Sequence, residues 1–141
     1  MSRHEHFLRT FLRVLGTSAL TAGFFVCVPD AWMDAIHQRL GLGRLPDVPI
    51  VSYLARSTSS FYALLGGLLW VVSFDLRRHR SVLRYLGVAI VLFGVALLVV
   101  DWQAGLPLWW RLWEGPIDCA FGIIILRLSS RISEAGPRQT G

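Results

Sequence analysis

Three charged residues stand where an apolar chain seldom carries them. Arg56 opens YLARSTSSFYALLGGLLWVVSF (residues 53–74), and Glu114 and Asp118 lie four apart in WWRLWEGPIDCAFGIIIL. A guanidinium is a planar fork of donors suited to a carboxylate or phosphate, whereas two adjacent acids in an apolar span call for a cation, a proton or a basic partner. Four-residue spacing puts Glu114 and Asp118 on one helix face, and Pro116 between them removes a backbone donor from the ladder. Position along the spans places Arg56 at a similar height. The expected cluster is therefore Arg56 with Glu114, Asp118 or both, Tyr53 and Ser60 as hydrogen-bonding neighbours, and Asp101 and Arg111 extending it from the outer loop. Such a cluster either locks two helices together or receives a ligand: an anionic group at Arg56, a cation or proton at the acids. A third alternative makes WWRLWEGP interfacial or re-entrant and leaves Asp118 near water.

The elements that must hold these residues are set by composition. Of 141 residues 54% are hydrophobic and 16% charged, and the mean hydropathy is +0.53. A soluble domain of this size has too little interior for so much apolar surface, so a bilayer is the natural solvent. Four apolar segments stand out, at 7–28, 50–74, 82–100 and 107–128, each near the ~20 residues that cross a bilayer core. No strand alternation is visible, and backbone amides in lipid need partners within the segment. The expected fold is all-α: a membrane four-helix bundle forming a single domain over 1–132, with a disordered cytoplasmic tail at 133–141. Between the first two segments, DAWMDAIHQRLGLG spaces Trp32, Ile36 and Leu40 four apart, which predicts a short interfacial helix on the outer leaflet; a solvated loop is the alternative. Ala55, Ser59, Ala63 and Gly67 recur every four residues, a small-residue stripe that lets a neighbouring backbone approach. Gly87 and Gly94 stand one heptad apart in the third span.

Arginine sets the orientation. All fourteen basic residues are Arg. Ten of them (Arg3, Arg9, Arg13, Arg77, Arg78, Arg80, Arg84, Arg127, Arg131, Arg138) fall on one side of the spans against three acids, and four on the other side against six. The positive-inside rule then places both termini in the cytoplasm, as four spans require. Trp32, Trp102, Trp109, Trp110 and Trp113 map to the outer boundary as an aromatic belt, with Trp70 toward the inner half.

Several functions are excluded by what is missing. The pI near 10 comes from arginines flanking apolar segments rather than from a soluble basic face, so nucleic acid is not an expected partner. His4, His6, His37 and His79 lie in tails and loops, where no pair ligates haem within the bilayer. There is no HExxH, no phosphate loop and no nucleophile–base pair in a span. No metal site and no cofactor is expected. Cys27 and Cys119 are too far apart in sequence for a CxxC site and read as buried free thiols, with a disulfide as the alternative.

The pattern YLARS–S–FYALLGGLLW, then D-LRR–R–VLRYLG, then D–AGLPLWW–WEGP resembles the BphX-like small integral membrane proteins over about residues 7 to 128. The matching positions are Tyr53, Arg56, Ser57, Asp75, Arg77, Asp101, Trp110, Glu114, Gly115 and Pro116. The resemblance implies four spans and a bacterial inner membrane, and no catalytic residue; DoxX-like proteins share these features. The function expected is that of a non-catalytic, multi-pass membrane protein contacting lipid, a subunit or scaffold that self-associates or joins another membrane protein. The alternative is a small-molecule or lipid carrier using Arg56, Glu114 and Asp118.

Overall fold

A computed structural model describes residues 3–132; the tail expected at 133–141 lies outside the described residues. Among them the chain is all-α, with five α-helices and no strand. The helices are α1 (Arg3–Thr21), α2 (Asp30–Arg39), α3 (Pro49–Phe74), α4 (Arg80–Gln103) and α5 (Leu108–Ser130), with a 3₁₀ turn at Ala22–Val26 after α1.

Proline and glycine punctuate the chain. Pro29 precedes α2 and Pro107 precedes α5, each with extended ψ of 143°, since proline has no amide to lose at a helix start. Two helix ends are built alike. After α2 the amides of Gly41 and Leu42 bond back to Gln38 and His37 carbonyls, with Gly41 at φ +73°. After α4 the amides of Gly105 and Leu106 return to Trp102 and Asp101 carbonyls, with Gly105 at φ +65°. Both are Schellman ends, in which glycine supplies the left-handed residue that satisfies the last carbonyls. The second end shortens the outer loop, so Asp101 and Arg111, expected in that loop, sit inside α4 and α5.

Among the described residues only α3 and α4 are long and apolar enough to cross a membrane by themselves, and 22% of the apolar window of each is buried. Phe61, Leu64, Leu92 and Val99 are among their outward-facing side chains. The chain divides into two compact units, Leu12–Val71 and residues 3–11 with 72–132.

In the Leu12–Val71 unit, α1 and α3 approach backbone to backbone at Gly16 and Gly66: a Cβ added at Gly16 would stand 2.9 Å from the Gly66 carbonyl. Trp70 Nε1 donates to Thr17 Oγ1 at 3.1 Å, and the Arg13 guanidinium lies 5.0 Å from the Trp70 ring centre. The small-residue stripe is used unevenly. Ala63 meets Gly23, whereas Gly67 faces open space. A four-residue repeat drifts around a 3.6-residue helix, which is why Gly66, one position off the stripe, takes the close contact.

In the other unit α4 and α5 pack through two glycine crossings. Gly94 lies against Gly115 and Cys119, and Gly87 against Gly122 and Leu126. Leu8, Leu83, Ile125 and Ile132 are sealed from solvent. Glu5, only 4% exposed, accepts from Arg77 Nε at 2.8 Å, and Phe11 meets Phe121 edge to face.

Candidate functional site

The Arg56 guanidinium bonds to four residues of its own unit. Ser52 and Arg56 are four apart on α3 and so share a face; Arg56 Nε donates to Ser52 Oγ at 3.1 Å, and that hydroxyl donates to Asp30 Oδ1 at 2.9 Å. Arg56 Nη2 closes the triangle on the same Asp30 oxygen at 2.8 Å. The guanidinium also donates to the carbonyls of Val26 and Val28, the latter at 3.0 Å. These carbonyls are exposed by local structure: the 3₁₀ turn ends at Val26 and Pro29 cannot continue a helix, so the peptide oxygens there lack helical partners. A cation at a helix C-terminal end answers both the orphan carbonyls and the negative end of the dipole. The Ser52 hydroxyl and the Arg56 guanidinium hold the Asp30 carboxyl below the usual carboxylate range.

The expected neighbours fall differently. Ser60 Oγ donates to the backbone carbonyl of Arg56 at 2.9 Å rather than touching the guanidinium. Tyr53 is 64% exposed and points outward. Ser52 and Asp30 were not among the expected partners, although the signal was present: VCVPD leaves a helix just before a proline, and such an end needs a donor from elsewhere.

The acids of α5 lie in the other unit. Glu114 accepts a hydrogen bond from the indole of Trp110, one turn earlier, and lies within electrostatic reach of Asp101 and Asp118. Asp101 is 2% exposed, and its Oδ2 has no hydrogen-bond partner. Asp118 is half-buried. The Arg111 guanidinium stacks over Trp102 at 4.5 Å from the ring centre.

Cys27 and Cys119 are free, and Cys27 is exposed where a buried thiol was expected. It belongs to the chain leaving the 3₁₀ turn, where only its backbone is held, by Cys27 N donating to Phe24 O. Among the described residues no three His, Cys, Asp or Glu side chains are grouped so as to hold a metal ion. A cleft opens between α2, the 44–48 segment and the start of α3, beside the Asp30–Arg56 pair.

No protein-family model, curated protein or solved structure matches this chain.

Proposed function

We propose that this is a four-span inner-membrane protein with both termini in the cytoplasm, without catalysis of its own, serving as a subunit or scaffold that assembles with a second copy or another membrane protein. One observation carries the reading: α3 and α4 are apolar over membrane-spanning lengths, yet only 22% of each apolar window is buried. The core helix of a soluble protein hides its apolar face; these two turn theirs outward, which water would penalise at ~25 cal/mol per Å². The excess of arginine at one set of helix ends and of tryptophan at the other fits a bilayer between them. α1 and α5 complete the four spans on this reading, with Arg13 of α1 stacked on Trp70 and Glu114 of α5 bonded to Trp110. The likeness to BphX-like proteins points the same way. The close glycine contacts serve packing.

Flotation with liposomes after carbonate washing tests the membrane assignment. In intact cells a membrane-impermeant maleimide should label Cys27 from outside. Recovery in the soluble fraction, or labelling only after cell lysis, refutes the assignment or the topology respectively. Native mass spectrometry from nanodiscs should give a fixed oligomer or a second polypeptide; a bare monomer refutes the subunit role.

A further inference from the structure

The cleft in the Leu12–Val71 unit has a volume of about 860 Å³, within the ~300–1,000 Å³ range of small-molecule sites. Four charged side chains line it: Asp30, Asp34, Arg44 and Asp47. Two of these are already committed. Asp30 holds Arg56 and Ser52. Asp34 accepts the Leu45 amide at 2.8 Å on one oxygen and Gln38 Nε2 at 2.7 Å on the other. Arg44 and Asp47 are exposed, and neither has an ion pair or side-chain hydrogen bond among the described residues. The segment that carries them is nonetheless tethered to α2, through the Leu45 amide on Asp34. Met33, Pro46, Val48 and Val51 add apolar lining.

The charges select the ligand. With Arg56 behind Asp30, three carboxylates face two guanidinium groups, so a simple anion meets a net negative cleft. A simple cation would leave Arg44 unanswered. A zwitterion satisfies both free groups, and its charges must be separated, because Arg44 and Asp47 do not reach each other. Three residues of chain set an upper limit of ~11 Å between their Cα atoms. We propose that this cleft binds an aminoethyl phosphate zwitterion, with the phosphate on Arg44 and the primary ammonium on Asp47. The group exists both free and as the headgroup of phosphatidylethanolamine. The lipid form rests on the membrane reading above, under which the cleft lies beside Ile50, where the second apolar run begins, at the depth of phospholipid headgroups.

The test is a thermal-shift and calorimetric titration of the full chain in detergent with O-phosphoethanolamine, against inorganic phosphate and ethanolamine. Arg44→Gln and Asp47→Asn change exposed side chains with no internal partners and leave the unliganded melting point unchanged. Phosphoethanolamine should bind saturably, phosphate and ethanolamine more weakly, and each variant should lose about tenfold or more in affinity, as expected for a charged hydrogen bond. Arg39→Gln, outside the cleft, should bind as wild type. No saturable binding, equal binding of phosphate alone, or full retention in both variants overturns the proposal. Native mass spectrometry from nanodiscs then separates the sources. Selective retention of phosphatidylethanolamine over phosphatidylcholine and phosphatidylglycerol, lost in both variants, assigns the lipid; positive titration without such retention assigns a soluble ligand. A chain that stays soluble without detergent but still binds phosphoethanolamine refutes the membrane reading and leaves this inference standing.

Discussion

Gly122→Ala adds one methyl group at a close crossing of α4 and α5. The new Cβ would stand 2.6 Å from the Gly87 carbonyl, 2.6 Å from Val91 Cγ2 and 2.8 Å from the Val91 amide. A valine methyl can rotate away, but a carbonyl and an amide in the middle of α4 move only if the helix moves. Overpacking of this kind costs about 1–3 kcal/mol, while alanine is better than glycine in a helix by about 0.5–1 kcal/mol. The net expectation is a loss of about 1–2 kcal/mol. Gly67→Ala is the same chemical change with nothing within 4 Å of the new carbon. It keeps only the helix-propensity gain, about 0.5–1 kcal/mol. The two variants should therefore shift stability in opposite directions and differ by about 1–3 kcal/mol, the overpacking cost that Gly122→Ala alone carries. Reversible unfolding in mixed micelles titrated with dodecyl sulfate, followed by far-ultraviolet circular dichroism, reads both on one scale. If Gly122→Ala unfolds at or beyond the wild-type midpoint, or if the two variants move together, the glycine-mediated α4–α5 contact is refuted.

Other consequences are open to similar tests. Arg56→Met keeps the stem but orphans the Val26 and Val28 carbonyls, and should lower stability by about 1–3 kcal/mol in the same titration, with Asp30→Asn costing clearly less because Asp30 is exposed. Asp30 has a folded-state pKa below its ordinary value of 3.8, so its contribution is complete above that value and fades as pH falls through the lower folded-state pKa. The gap between wild type and Asp30→Asn should thus be flat near neutrality and close in acid; a gap that widens in acid contradicts the pairing. Arg77→Gln removes the Arg77 ion pair of buried Glu5 and should destabilise more than Asp30→Asn, measured side by side. Trp70→Phe removes the hydrogen bond to Thr17 and weakens the stacking of Arg13, for an expected loss of about 1 kcal/mol.

Much of the helical layout was legible because its causes are local. Apolar runs of the right length demand helices whatever surrounds them, Pro29 and Pro107 open α2 and α5, and Gly41 and Gly105 close α2 and α4 with left-handed residues that favour glycine. The excess of arginine at one set of helix ends needed only counting. The 3₁₀ turn at Ala22–Val26 was not legible; it replaces the end of a run that reads as one continuous helix, since AGFFV is as apolar as what precedes it.

The partners of charged groups belong to the tertiary structure. Sequence spacing gives the height of Arg56 along α3 but not the direction it faces, and direction made Ser52, Asp30 and the Val26 and Val28 carbonyls its hydrogen-bond acceptors. Gly87 and Gly94 stand one heptad apart in the sequence, but only the packing of α4 on α5 brought Gly115 and Gly122 opposite them. Nothing in the sequence singles out Arg44 and Asp47; the fold places both, unpaired, around one cleft. Local chemistry along the chain decided where helices begin, end and prefer to lie; which side chains meet was decided by rotation and approach between helices, which no single segment encodes.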